Sequence, residues 1–165
     1  MDQEVMDELK EAIAQLLEKE EIHDALPMMK QATNWGDLES QKQLIDIFLH
    51  GKYGIVFDPK NGFAYARLAA MNGDAQAMYE FARLNKEGIG CAKNMEQAFY
   101  FMNKAATARY PFAYDELAVM YLMGQGCQKD IEQAGFWNLK ALEQLGHTPE
   151  IDKHARMIKK ALEKA

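Results

Sequence analysis

The chain has 165 residues, 48% of them hydrophobic and 27% charged, with a formal net charge of −6 and a pI near 5.3. That is enough chain to pack a core without disulfide or metal staples, and the composition excludes disorder. The acidic balance argues against a nucleic-acid partner, and no apolar run approaches the ~20 residues that a membrane helix needs. The opening Met1-Asp2-Gln3-Glu4 has no basic n-region and no apolar stretch, so no signal peptide is expected and the chain reads as soluble and cytoplasmic. Two cysteines are too few for a disulfide scaffold.

The first predicted helix carries a stripe of Val5, Leu9, Ala12, Ile13, Leu16 and Leu17 at helical spacing. Residues 1–24 hold nine acids against two bases, a net of −7. Such a face is ordinarily a solvated one, and the sharper alternative is a docking surface for a basic partner. A second helix is expected from about Asp24, with Pro27 in its first turn.

A repeat of 36 residues then takes over. Residues 75–110 set over 111–146 without a gap share twelve identical positions, among them Ala77/Ala113, Gly88/Gly124, Gly90/Gly126, Cys91/Cys127, Ala98/Ala134 and Lys104/Lys140. Residues 39–74 fit the same register more weakly, with Gly54 under Gly90 and Asp58 under Asn94 and Asp130. Each repeat reads as two helices. In the third, Ala113, Leu117, Met120 and Tyr121 mark helix A, and Gly124 sits where a helix ends at positive φ. Asp130 is a suitable N-cap for helix B, as are Asn94 and Asp58 in the earlier repeats. Residues 1–38 are left as N-terminal capping helices. In 147–165 Thr148 caps, Pro149 opens, and Ile151, Ala155, Ile158 and Leu162 form the stripe of a C-terminal capping helix. No stretch alternates with period two over a useful length, so the expected class is all-α.

The pattern Ala77-x3-Phe81-Ala82-x2-Asn85-x2-Gly88-x-Gly90-Cys91-x2-Asn94-x3-Ala98-x2-Phe101-x2-Lys104-Ala105-Ala106 resembles a Sel1-like repeat, and it recurs in phase through Ala113, Leu117, Ala118, Gly124, Gly126, Asp130, Ala134, Trp137, Lys140 and Ala141. Segment 39–74 departs from it, with Gln41, Asp46, Lys52 and Gly62 where the pattern has alanine, a small residue, glycine and alanine. The resemblance implies a right-handed α-solenoid of antiparallel helix pairs, similar to tetratricopeptide arrays. It also implies a protein-binding scaffold; some similar bacterial proteins assist secretion, virulence or signalling complexes, or neutralise toxins.

Candidate chemistry is thin. His23, His50, His147 and His154 form no i,i+3 or i,i+4 pair, so no metal is expected. Glu150 and His154 are spaced for an ordinary helix-surface pair. The two Gly-x-Gly pieces lack a Walker lysine and a preceding strand, so turn chemistry explains them better than phosphate binding. Cys91 and Cys127 hold one position of successive repeats, which stack ~10 Å apart, too far for a disulfide; two free, buried thiols are expected. With no triad, metal set or cofactor loop, the chain reads as a non-catalytic module without cofactors.

By analogy with tetratricopeptide arrays, a protein or peptide partner is expected on the concave face lined by the A helices. In the 36-residue register its residues are Ile47 and His50, then Gln76, Tyr79, Arg83 and Lys86, then Phe112, Asp115, Val119, Leu122 and Met123. Phe112, Val119, Leu122 and Met123 are apolar where a merely structural face prefers polar residues. The alternative is a small inhibitor or immunity-type protein that sets its acidic first helix against a basic toxin or enzyme. No nucleic acid or membrane partner is expected, and the chain reads as a monomer.

Overall fold

The computed structural model describes residues 2–164, and every regular element among them is helical. A first compact unit ends at Asp74 and contains α1 (Gln3–Glu18), α2 (Ile22–Asn34), α3 (Leu38–His50) and α4 (Pro59–Met71). A second begins at Ala75 and contains α5 (Ala75–Glu87), α6 (Met95–Thr107), α7 (Phe112–Met123), α8 (Ile131–Leu145) and α9 (Pro149–Leu162). The all-α expectation holds. Among the described residues, no helix is long and apolar enough to cross a membrane.

Side-chain caps fix where the helices begin. Asp58, Asn94 and Asp130 each accept a hydrogen bond from the backbone N–H three residues on, at 2.9–3.1 Å, and Thr148 does the same for α9 at 3.2 Å. Asp37 caps α3 through Ser40 N–H at 2.8 Å. α2 departs from expectation: it starts at Ile22, so Pro27 lies in its second turn rather than its first. The proline removes one backbone bond there, but it is exposed, and water can reach the freed carbonyl of exposed His23.

The first repeat corrects the gapless register. α3 ends at Gly51, whose φ is 64°, as α7 ends at Gly124 with φ 68°, while Gly88 has φ 76°. The helix-ending glycine is therefore Gly51, and Lys52 does not replace it. The turn up to Gly54 is one residue longer than the turns up to Gly90 and Gly126. Tyr53 fills the extra position at φ 56°, one of three non-glycine residues at positive φ among the described residues, with Glu20 and Arg109. The cap bonds show the same offset: Asn94 N–H donates to Asn85 and Asp130 N–H to Tyr121, nine residues back, but Asp58 N–H donates to Phe48, ten back. Shifted by one, Ser40 falls under Ala77 and Ala113, and Leu44 under Phe81 and Leu117; all six are buried. Gly62 stands in for Ala98 and Ala134 because a methyl there would overlap the Leu49 side chain.

Each unit has its own core. In the first, Ile13 of α1 packs with Ile22, Ala25, Met29 and Ala32 of α2 and Leu44, Ile47 and Phe48 of α3. Val5, expected on the same stripe as Ile13, is exposed. In the second, the fully buried alanines 98, 105, 118, 134 and 141 let helices approach closely around Phe81, Met102, Leu117 and Met120. Burial of each such large side chain is worth roughly 1.5–3 kcal/mol. The turn between α7 and α8 comes so close to α6 that a methyl on Gly126 would overlap the Met95 carbonyl.

Candidate functional site

The second unit brings most of the expected residues together on α5 and α7. Positions three, four and seven apart share a helix face. Phe112, Glu116, Val119 and Met123 thus line one stripe of α7, and Phe112 and Met123 are 57% and 56% exposed. Val119 is half-buried between them. On α5 the corresponding stripe is Gln76, Glu80, Arg83 and Glu87. Gln76 is exposed, and Arg83 pairs with Glu87 at 3.4 Å and Glu80 at 3.8 Å.

Tyr79 and Lys86 turn toward α7. The Lys86 ammonium meets the Glu116 carboxylate at 2.6 Å. The Tyr79 ring lies 5.3 Å from that of Tyr110, which lies 5.5 Å from that of Phe112, so an aromatic ladder runs from α5 to the exposed ring on α7. The Arg83 guanidinium sits 5.9 Å from the Tyr79 ring centroid. Burial, aided by the Glu116 carboxylate, pushes the Tyr79 hydroxyl up to about 12.

Four expected residues belong elsewhere. Ile47 is 1% exposed and lies in the core of the first unit. The extra residue in the first turn moves it from the position of Arg83 and Val119 to that of Leu84 and Met120. His50 remains exposed and faces Asp46 at 3.4 Å. Leu122 is 5% exposed. Asp115 is not on the free stripe either. Its carboxylate accepts from Asn138 of α8 at 3.1 Å and meets the His154 ring of α9 at 2.7 Å. His154 thus joins Asp115 rather than Glu150, and it fastens α9 to α7.

That fastening shapes a groove of about 560 Å³ at the far end of α7, floored by Leu122, Met123, Ile131, Met157 and Ala161. The charged residues lining it are Lys129, Lys160 and Lys164, with no carboxylate among the lining. Sequence reasoning missed Glu116, Tyr110 and this α9 wall. The identity Glu80/Glu116 was visible in the repeat alignment; the apolar stripe of α9 was legible too, but which α7 residues it meets depends on its packing angle.

Cys91 and Cys127 are free thiols, half-buried rather than fully buried. Each Sγ donates at 3.6 Å to a carbonyl seven residues back, Leu84 and Met120. Burial raises both thiol pKa values, with a further push from Asp130 on Cys127. Among the described residues, no group of three His, Cys, Asp or Glu side chains is placed to hold a metal ion.

Paired helices joined by Gly-x-Gly turns define an α-solenoid repeat protein. Residues 46–74, 75–110 and 111–144 match the Sel1 repeat family, and the chain belongs to it. The chain is similar to the crystal structure of a Sel1 repeat protein from Oxalobacter formigenes, with 27% identity and a TM-score of 0.67 over 79% of this chain and 96% of that one. It also shares its fold with c5321, a protective antigen present in uropathogenic Escherichia coli strains that displays an SLR fold. There the identity is 22% and the TM-score 0.71, covering 84% of this chain but only 29% of that one. None of the curated proteins matches the chain. Sel1 repeats are generally protein-interaction modules and typically non-catalytic scaffolds.

Proposed function

We propose that this chain is a non-catalytic protein-interaction module whose partner docks on the α5–α7 face of the second unit. On this reading 1–38 and 147–165 act as caps around repeats at 39–74, 75–110 and 111–146. The observation that carries it is the exposure of Phe112 and Met123 on one α7 stripe, beside a lysine-rimmed apolar groove. Large exposed apolar side chains rimmed by charge mark interaction surfaces. Phe112 and Met123 supply apolar anchors, and Met123 adapts its shape to what it meets. Lys129, Lys160 and Lys164 favour an acidic partner segment, and Arg83 and Glu87 at the edge select among partners by charge.

Binding energy at such a face concentrates in a few large central residues. Replacing Arg83 and Phe112 by Ala is expected to weaken the complex with the native partner by tenfold or more, roughly 1.4 kcal/mol. Helicity and melting temperature should stay near wild type. A surface titration of the two proteins against the purified partner measures this, and undiminished affinity rejects the face.

One observation favours a second reading. All nine carboxylates within residues 2–24 are exposed. An inhibitor of immunity type would present them to a basic toxin or enzyme. Changing Glu4, Asp7, Glu8 and Glu11 to Gln then abolishes binding while the Arg83/Phe112 variant binds normally; the opposite pattern supports the α5–α7 face.

A further inference from the structure

A second groove of the second unit, about 480 Å³, opens where α6 turns into α7 and where the C-terminal half of α8 runs past. It is lined by Ala106, Thr107, Arg109, Tyr114, Trp137, Lys140 and Gln144. Its chemistry is one-sided. Arg109 and Lys140 are cations, and no carboxylate is among the lining residues. The Trp137 side chain is 8% exposed, and its indole N–H is buried with no acceptor in the protein. A buried donor left without an acceptor costs roughly 1–3 kcal/mol, so it calls for an explanation.

Arg109 adds an independent anomaly. It ends α6 at φ 63°, its N–H donating to Ala106 while Tyr110 N–H donates to Ala105. One repeat earlier Gly73 ends α4 with the same pair of bonds at φ 92°. A glycine takes that conformation freely, whereas a side chain there is strained. The chain therefore carries an arginine where the preceding repeat has Gly73, and that arginine lines the groove. Lys140 is held in place over the Phe136 ring, 5.2 Å from its centroid. The Trp137 ring stacks on Tyr114 at 5.6 Å, which fixes the indole. The C-terminal ends of α6 and α8 also lie here, and their negative poles account for some attraction of cations. They do not account for an orphaned donor.

We propose that this groove binds an oxyanion, a carboxylate or phosphate carried on a small organic body. Arg109 supplies a two-pronged donor and Lys140 a point charge, and the indole ring of Trp137, stacked on Tyr114, walls the site beside them. A volume of this size suits a ligand larger than a bare ion, and Ala106, Tyr114 and Trp137 give its body an apolar wall.

The indole proton of Trp137 is itself the reporter. Nitrogen-15 spectra of the full chain, with Trp35→Phe used to assign the two tryptophans, are followed during titration with acetate, benzoate, inorganic phosphate and phenyl phosphate at constant ionic strength against chloride. The expected result is a saturable shift of the Trp137 indole resonance at millimolar concentrations of at least one probe. The carboxylate and phosphate arms tell which oxyanion is preferred, and the aromatic members tell whether the apolar wall takes part. Arg109→Gly is expected to weaken binding roughly tenfold or more, since it removes a charge-assisted pair. It should leave the melting temperature unchanged or higher, because glycine relieves the strained φ. Lys140→Gln is expected to weaken binding as well. No saturable shift beyond chloride with any probe, or undiminished binding in either variant, overturns the proposal and leaves the two cations as helix-end charges.

Discussion

Gly126 shows how much one absent methyl group can decide. Its φ of 71° already excludes most side chains, and the space where a Cβ would stand is filled by the backbone of Met95. Backbone cannot swing away as a side chain can, so Gly126→Ala is expected to cost roughly 2–4 kcal/mol. Gly124→Val strains φ with only ordinary contacts nearby, so about 1–3 kcal/mol is expected. Thermal melts of both variants check the order, and equal losses would show that close approach adds nothing to strain. The thiols make a second prediction. Their raised pKa values leave less thiolate at neutral pH than an exposed cysteine has, so native alkylation of Cys91 and Cys127 should be slow. Denaturant should release two fast-reacting thiols, which a mass-spectrometric time course counts. Tyr79 gives the alkaline limit. Its folded pKa of about 12 exceeds the unfolded value near 10, so the folded state holds its proton longer. This contribution to stability is complete below pH ~10 and is lost as pH rises toward 12, which ultraviolet titration of the phenols follows.

Caps and charges act on whole elements. Asn94 and Asp130 each satisfy one N–H at the start of α6 and α8, so alanine at either should cost about 1 kcal/mol. Asp37 does more. It caps α3 and also holds the Lys10 ammonium of α1 at 2.6 Å, while it is itself 8% exposed. Burial pushes its carboxyl up, but Lys10 and Ser40 together outweigh that and leave it below the ordinary value. A depressed folded pKa means stability that is present above pH ~4 and lost as pH falls through the folded value. Asp37→Ala should therefore cost more than the α6 and α8 caps, about 2 kcal/mol, and should flatten the acid limb of stability. Urea melts at pH 7 and pH 3 measure both. If the variant and wild type lose stability in parallel down to pH 3, the Lys10–Asp37 contact is not the source.

At the scale of the whole molecule, charge is distributed against the average. Residues 1–24 carry −7 of the −6 total, while 150–165 carry five bases against three acids, +2. Under the α5–α7 reading, neutralising Glu4, Asp7, Glu8 and Glu11 leaves the dissociation rate nearly unchanged. It changes the association rate and flattens its salt dependence, because remote charge steers encounter rather than holding the complex. Stopped-flow mixing at two salt concentrations separates the two rates.

What the sequence determined by itself was whatever repeats or acts locally. Helical spacing, the caps at Asp58, Asn94, Asp130 and Thr148, and the glycine turns were legible because each depends on neighbours within a few residues. Twelve identities at one spacing were enough to reveal the repeat. The tertiary structure decided what depends on partners distant in sequence. Ile47 fell into the core because one extra residue before Gly54 rotates α3 by a hundred degrees, and a gapless alignment cannot register that. Asp115 left the open face because His154, 39 residues later, reaches it. Arg109 and Lys140 meet around Trp137 only because α8 passes the end of α6, a crossing set by side-chain packing rather than by any local pattern.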